Sequence, residues 1–421
     1  MKALEQQHIS KIEGHGHLKA DFKNNRVQLI IDEGERYFEK LVIGRRFQDA
    51  HYITSRICGV CPVAHQLAAI KAVEDAFRIE ANETIKYFRR ILLAAQIIQS
   101  HTLHLYFLAL PDYLGLDSTI SLADKDPKKL RAALDLKHFA DETVETIGGK
   151  AVHPTTPTVG GFLKLPKKKD LVMLINKAEK QMANAKMTIE LFARFKYPEL
   201  MHKIEFLTLD NYDFYEGDVI SNVDTSFKPK QYKKRIREKI KSPSSAKYSL
   251  HYAKNIDHLP SPRPFMTGAL ARINNNASKL KPKAKLEKST CLKTPNFNPY
   301  YNNLAQAIEL VHALEIIIEI SQDLINKKWQ PRMVDFKPRR GSGVGAVEAP
   351  RGVLYHYIKT NKDGDIVGYD IIPPTAQNLS NLEQDAKELI KNTKTLSSLK
   401  RRKLLEMLVR AYDPCITCSV H

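Results

Sequence analysis

Cysteine is scarce, with five residues in a chain of 421. That excludes a disulfide scaffold and suits a reducing compartment, where thiols stay free for metal or redox work. Tryptophan occurs once, and 18 Gly and 21 Pro are too few for a collagen-like or low-complexity chain. No stretch approaches about 18 uncharged apolar residues, so the sequence offers no membrane-spanning helix. The opening segment, Met1-Lys2-Ala3-Leu4-Glu5-Gln6-Gln7, lacks the apolar centre of a secretory signal. Acidic residues are outnumbered: 66 Lys+Arg against 47 Asp+Glu give a formal net charge of +19. A basic balance points toward nucleic acid or an acidic partner. The charge is scattered, however, with its densest pieces at Lys167-Lys168-Lys169, Lys228 to Lys241, Lys279 to Lys288 and Lys400-Arg401-Arg402-Lys403. None of these is regularly interleaved with aromatics or fits a nucleic-acid module, so they read as solvated surface.

What is present is mainly helical periodicity. Apolar residues at three and four spacing predict helices over 63–78 and 84–110, and further helices near 171–196, 302–326, 376–391 and 396–411. Alternation of Leu18, Ala20 and Phe22 with Val27, Leu29 and Ile31 around Asn24-Asn25 predicts a hairpin. A second hairpin is expected over about 353–372, turning at Asp363-Gly364. No internal repeat and no linker is visible. The expected architecture is mainly α with small peripheral β hairpins (α+β), in one domain of residues 1–421. Hairpin regions of about 1–40 and 340–375 would pack on a helical core.

Two Cys-x-x-Cys pairs carry chemistry. Cys58-Gly59-Val60-Cys61 precedes a predicted helix, and Cys415-Ile416-Thr417-Cys418 follows another at the C-terminal end. Two intervening residues let both thiolates of a pair face one metal, with Gly59 expected to ease the bend. A metal held by both pairs would tie the terminus to an early segment. A redox pair of the thioredoxin kind is disfavoured, because no βαβ unit surrounds either copy. The spacing alone leaves zinc and another soft-ligand metal open.

The flanks narrow the choice. Arg56-Ile57-Cys58-Gly59-Val60-Cys61-Pro62-Val63-Ala64-His65 and Asp413-Pro414-Cys415-Ile416-Thr417-Cys418-Ser419-Val420-His421 resemble the two signature ends of the nickel–iron hydrogenase large subunit. Lys11-Ile12-Glu13-Gly14-His15 is similar to that family's N-terminal motif, with Lys11 in place of its arginine. Glu348-Ala349-Pro350-Arg351-Gly352 is similar to its arginine loop. Gly148-Gly149-Lys150-Ala151-Val152-His153-Pro154 and Arg263-Pro264-Phe265-Met266 resemble its cytosolic, multi-subunit branch, which includes NAD(P)-linked sulfhydrogenases. These motifs, in order, span essentially the whole chain.

The resemblance implies a helical large-subunit fold and reversible heterolytic cleavage of dihydrogen. It implies a nickel–iron centre whose iron carries carbon monoxide and cyanide. Cys58 and Cys415 would be terminal nickel ligands, and Cys61 and Cys418 would bridge nickel to iron. Arg351, after Pro350 in a loop preceded by Gly341, Gly343 and Gly345, would stand over the open metal face, with Asp112 and Asp413 around it. Glu39 and His421 would hold Mg2+ or a similar divalent ion. His65 would face the bridging thiolate of Cys61. Glu13 would relay protons from beside a bridging thiolate, expected to be Cys418. His8, His101, His104 and His153 are read as packing or network groups, and Cys291 as a plain small residue.

The family also implies partners: a small subunit with iron–sulfur clusters, a diaphorase module with flavin and NAD(P), and a maturation protease with nickel-insertion factors. In the family an extension past the last histidine is removed after nickel insertion, so an end at His421 implies either that removal or a gene without it. The branch-like motifs imply a cytoplasmic location. Two rivals explain less. A zinc-stabilised nucleic-acid binder accounts for charge and cysteines but not for the Glu-Gly-His and Glu-Ala-Pro-Arg-Gly motifs. A catalytically inactive relative of the complex I type would lack the four cysteines.

Overall fold

The computed structural model describes residues 5–253 and 261–421. Residues 1–4, part of the expected N-terminal hairpin region and of the segment read for a leader, lie outside the described residues. The hairpin itself is present, widened by one strand. β1 (Glu5–His8), β2 (Gly16–Asp21) and β3 (Arg26–Ile31) form an antiparallel sheet in that order. Leu18 opposes Leu29 and Ala20 opposes Val27, so one face is apolar and buried.

The body is helical. α1 (Pro62–Phe77) and α2 (Glu83–Leu103) follow the first cysteine pair. Then come α3 (Pro127–Gly148), α4 (Lys168–Ala193), α5 (Asn302–Asn326), α6 (Pro374–Asn392) and α7 (Ser398–Ala411). α2, α4 and α5 pack together, and α5 is buried along most of its length. One apolar cluster runs from Ile9 to Val420 and includes all four paired cysteines. The continuous helix Glu83–Leu114 is long and apolar enough to cross a membrane, contrary to the sequence reading. It is apolar because other elements surround it, and most of it is buried. α3 was not anticipated, since charged residues crowd its exposed face.

The glycines before Arg351 do not make a loop. They lie in β4 (Gly341–Ala349), which pairs with β5 (Gly352–Thr360) and through it with β6 (Ile366–Ile372). A Cβ on Gly341, Gly343 or Gly345 would fall 2.4, 2.2 or 1.9 Å from the carbonyl oxygen of Ala76, Ala72 or Ala68. Glycine on the strand and alanine on the helix let β4 and α1 touch backbone to backbone. β4 therefore delivers the Pro350-Arg351 turn directly above the start of α1, where Cys61 lies.

Candidate metal centre

α1 begins at Pro62, with Cys61 as the residue that caps it. Proline fits that first position because its missing N–H would have no intrahelical partner there. Gln96 Oε1 accepts from the buried Ala64 N–H of the first helical turn at 2.9 Å, and the helix end presents partial positive charge to Cys61. Val60 N–H points at Cys58 Sγ, 3.2 Å away. Gly59 does not sit at positive φ, and a side chain there would meet nothing within 4 Å, so the bend does not depend on it.

The second pair reaches the first because α7 ends at Ala411 and Asp413 turns the chain at a φ of 50°. Asn302 Nδ2 donates to the Ala411 carbonyl at 2.8 Å, and Thr375 Oγ1 accepts from Cys415 N–H at 3.0 Å. The Sγ atoms of Cys58 and Cys415 lie 3.3 Å apart, those of Cys61 and Cys418 3.3 Å, and those of Cys415 and Cys418 2.8 Å. All four lie within 4.8 Å of one another, and all four residues are buried. The Cys58 thiol is held well below its ordinary range because Cys415, Cys418 and Cys61 donate to its sulfur, with Arg351 nearby. Burial pushes the Cys415 and Cys418 thiols well up. Four sulfurs packed this tightly and cut off from water fit a soft or borderline metal, which replaces their protons.

A small enclosed cavity adjoins the sulfurs, lined by Cys61, His65, Pro350, Arg351, Cys415 and Cys418 among others. Arg351 lies in the two-residue turn between β4 and β5. Its Nη2 donates to Asp413 Oδ1 at 2.8 Å, its Nε to the Asp413 carbonyl at 2.6 Å, and its Nη1 to Ser100 Oγ at 3.2 Å. Arg272 clamps the turn from behind, donating to the Ala349 and Pro350 carbonyls at 3.1 and 3.0 Å. Buried Glu309 and Glu348 balance the Arg272 charge.

The two oxygens of Asp112 take Lys11 Nζ at 2.9 Å and Arg410 Nε at 2.5 Å. These two cations come from the N-terminal segment and from α7. Lys11, which departs from the motif arginine, is itself one of them.

Glu13 lies beside Cys415 rather than Cys418. Its backbone pairs with Cys415, and its carbonyl accepts from Ile416 N–H at 3.0 Å. Its carboxylate takes the Thr417 hydroxyl at 2.5 Å and the Thr417 N–H at 3.2 Å. Burial raises the Glu13 carboxyl pKa, and the Cys58 charge adds to the rise. Gly14, at φ +82°, is required here: a Cβ would fall 2.6 Å from Ile416 Cβ. His65 is buried, and its Nδ1 meets His356 Nε2 at 3.1 Å. Burial holds His65 neutral, with its pKa pushed down to about 4.

At the chain end, His421 Nδ1 meets the Cys418 carbonyl at 2.9 Å, while buried His421 Nε2 has no hydrogen-bond partner. That nitrogen lies 3.5 Å from Glu39 Oε1. Glu238, which the sequence reading did not single out, adds a carboxylate with an orphaned oxygen. Lys247 lies 3.8 Å from Glu39 and 3.4 Å from Glu238. Glu39 Oε1 also takes the Ile371 N–H at 2.7 Å, so the atoms left unpaired are His421 Nε2 and Glu238 Oε1. A nitrogen and a carboxylate oxygen without partners beside a second carboxylate fit a divalent cation. Cys291 Sγ donates to the Glu287 carbonyl at 3.1 Å and is not part of the tetrad, while half-buried His153 lies within reach of the Cys58 charge.

A helical body that closes four buried thiolates under an arginine turn defines a metalloenzyme catalytic subunit. The family pattern described as nickel-dependent hydrogenase matches residues 36–134 and 290–421, and the chain belongs to that family. Sulfhydrogenase 1 subunit alpha of Pyrococcus furiosus is 36% identical over 98% of this chain and 96% of its own length. Sulfhydrogenase 2 subunit alpha of the same organism is 32% identical, covering 99% and 98%. The beta subunit of the NAD-reducing hydrogenase HoxS of Cupriavidus necator is 27% identical, covering 98% and 93%. The fold matches an NAD+-reducing [NiFe]-hydrogenase in the H2-reduced state, with a TM-score of 0.89 at 24% identity over 100% of both chains. The chain is therefore the catalytic subunit of a hydrogenase, an oxidoreductase acting on dihydrogen, and its thiolate tetrad is the seat of a nickel–iron centre.

Proposed function

We propose that Cys58 and Cys415 are terminal nickel ligands and that Cys61 and Cys418 bridge nickel to an iron carrying carbon monoxide and cyanide. The bound metal pair supplies the electron-rich centre across which dihydrogen is polarised. The protein supplies the rest. Arg351 presents a guanidinium to the cavity, held rigid by Asp413 and Ser100, where it can donate to cyanide nitrogen or stand over the open face. Pro350 and His65 close the cavity against water. Cys415 Sγ takes the proton released from dihydrogen and passes it to the Glu13 carboxyl, which burial keeps competent to receive it. Thr417 orients that carboxyl. Asp112 fixes Lys11 and Arg410, and so the segment that carries Glu13.

Glu39 and His421, with Glu238 beside them, hold a magnesium-like ion that pins the terminus under the thiolates. An iron–sulfur small subunit receives the electrons, and a flavin-bearing diaphorase module passes them to NAD(P), as the names of the sulfhydrogenase and NAD-reducing relatives suggest. We place the complex in the cytoplasm, read residues 1–421 as one catalytic domain, and expect maturation by a protease and nickel-insertion factors.

The observation that carries this reading is the convergence of Arg351 and Glu13, from opposite ends of the chain, on one tetrad of buried sulfurs. Metal analysis and infrared spectroscopy of matured protein test it. Nickel and iron in equal amounts with carbon monoxide and cyanide stretches are expected. Zinc alone, without those bands, overturns the reading.

A further inference from the structure

The carboxylate that holds Arg351 is itself held, and the hydrogen-bond accounting behind it has only one solution. Gln306, on α5, donates from Nε2 to Asp413 Oδ2 at 3.0 Å. Asp413 carries the Arg351 guanidinium on its other oxygen, so it is a carboxylate and only accepts. The Gln306 amide is thereby fixed in direction, with Oε1 turned away from Asp413. That oxygen meets His104 Nδ1 at 2.5 Å. A side-chain amide oxygen only accepts, so His104 Nδ1 bears a hydrogen. The other ring nitrogen, Nε2, meets the main-chain carbonyl of Arg410 at 2.6 Å. A carbonyl also only accepts, so Nε2 bears a hydrogen too. His104, Gln306 and Asp413 are each about 1% exposed, and their side chains touch directly at 2.5 and 3.0 Å.

We propose that His104 is a buried imidazolium. Through Gln306 it fixes the Asp413 carboxylate, and through Asp413 the Arg351 guanidinium, over the thiolate site. The chain of contacts is His104, Gln306, Asp413, Arg351, and it contains no freely rotating group. The positive charge of His104 lies two hydrogen bonds from Asp413, through the carboxylate oxygen that Arg351 Nη2 does not take. The local fold explains how His104 arrives there. α2 does not continue regularly: residues His104–Ala109 widen into a π-helical turn before Leu110–Leu114. Pro111 has no N–H, and in the widened pattern the carbonyl it leaves unpaired is that of Tyr106. Thr119 Oγ1 donates to that carbonyl at 2.6 Å. The widened turn starts at His104 and places its ring between α5 and the end of α7.

This role is indirect, since His104 touches no metal ligand. His104 and Gln306 are positioning residues, and the inference rests on the hydrogenase reading above. Two cations behind one carboxylate also suit a site of four thiolates, whose negative charge needs balance in a medium of low dielectric.

Neutron diffraction of the matured wild-type complex tests the protonation directly. Nuclear density on both His104 nitrogens is expected, and a single hydrogen on the ring overturns the proposal. The variants Gln306→Glu and His104→Gln test the positioning. Gln306→Glu sets a second carboxylate against Asp413. It is expected to keep nickel and iron, to shift the carbon monoxide and cyanide bands, and to lower kcat at least tenfold with little change in KM. His104→Gln cannot donate from two sites on opposite sides of a ring and should show the same changes, smaller. Unshifted bands with kcat unchanged in both variants also overturn the proposal. Absence of nickel and of those bands in the wild type would instead sink the hydrogenase reading, so the two failures are distinct.

Discussion

A glutamate and a glutamine fill nearly the same volume, so Glu13→Gln isolates proton transfer from packing. The amide can still accept from Thr417, but it cannot take a thiol proton from Cys415 and release it. Metal content and infrared bands should stay normal, while hydrogen–deuterium exchange falls about a hundredfold or more, the range general acid–base groups contribute. Normal exchange at normal metal content would return Glu13 to a structural role. Cys61→Ser should be harsher. It replaces a soft donor at the start of α1 with a hard one, and loss of nickel in metal analysis is the expected result. At this scale the motifs were informative about which residues meet and less so about which neighbour each prefers. The four cysteines, Arg351 and Asp413 could be read from the sequence because each lies in a tight motif. The pairing of Glu13 with Cys415 could not, because it depends on a parallel backbone contact between the N-terminal segment and residue 415. The partners of Asp112 were hidden for a similar reason: Lys11 and Arg410, far apart in sequence, take both its oxygens.

Contact between a strand and a helix without intervening side chains is rare enough to be tested by a single methyl group. Gly345→Ala would place a Cβ 1.9 Å from the Ala68 carbonyl, and the neighbour is backbone that cannot swing aside. β4 would be pushed off α1, and with it the turn that carries Arg351. We expect a loss of about 3 kcal/mol or more, at the upper end for overpacking, seen as a lower melting temperature and poor metal retention. Gly44→Ala, in contrast, meets nothing within 4 Å but carries a φ of +80°, so its cost should be only the modest one of a left-handed residue. The helices α1, α2, α5, α6 and α7 follow the apolar spacing closely, because each buries one or more stripes on a common core. β4 falls in the expected hairpin region of about 340–375 but outside the strands predicted over 353–372, because alternation cannot be seen in Gly-Ser-Gly-Val-Gly, where the small residues serve contact with a helix and not sheet propensity. The π-helical turn at His104–Ala109 was equally hidden. Pro111 marks it, but a proline in an apolar run signals a break as readily as a widened turn.

Two electrons leave each dihydrogen cleaved, and they must leave one at a time toward an acceptor outside this chain. The sequence holds five cysteines, and four of them form the buried tetrad. The fifth, Cys291, is half-buried on a short helix, where burial pushes its thiol up to about 11. An iron–sulfur cluster commonly takes four cysteine ligands, so this chain cannot build a relay of its own. Chemistry at the metal pair and electron export are therefore separable functions of separate subunits. On the proposed proton route through Cys415 and Glu13, hydrogen–deuterium exchange needs nothing beyond that route, the tetrad and its metals. Dye reduction needs the export route as well. A matured chain stripped of its iron–sulfur partner should keep exchange and lose sustained reduction of a viologen dye, and adding the partner back should restore it. Both rates are read on one preparation, with metal content as the control. Dye reduction by the cluster-free chain at the rate of the complex would mean that electrons escape directly from the buried site, against the burial of all four sulfurs.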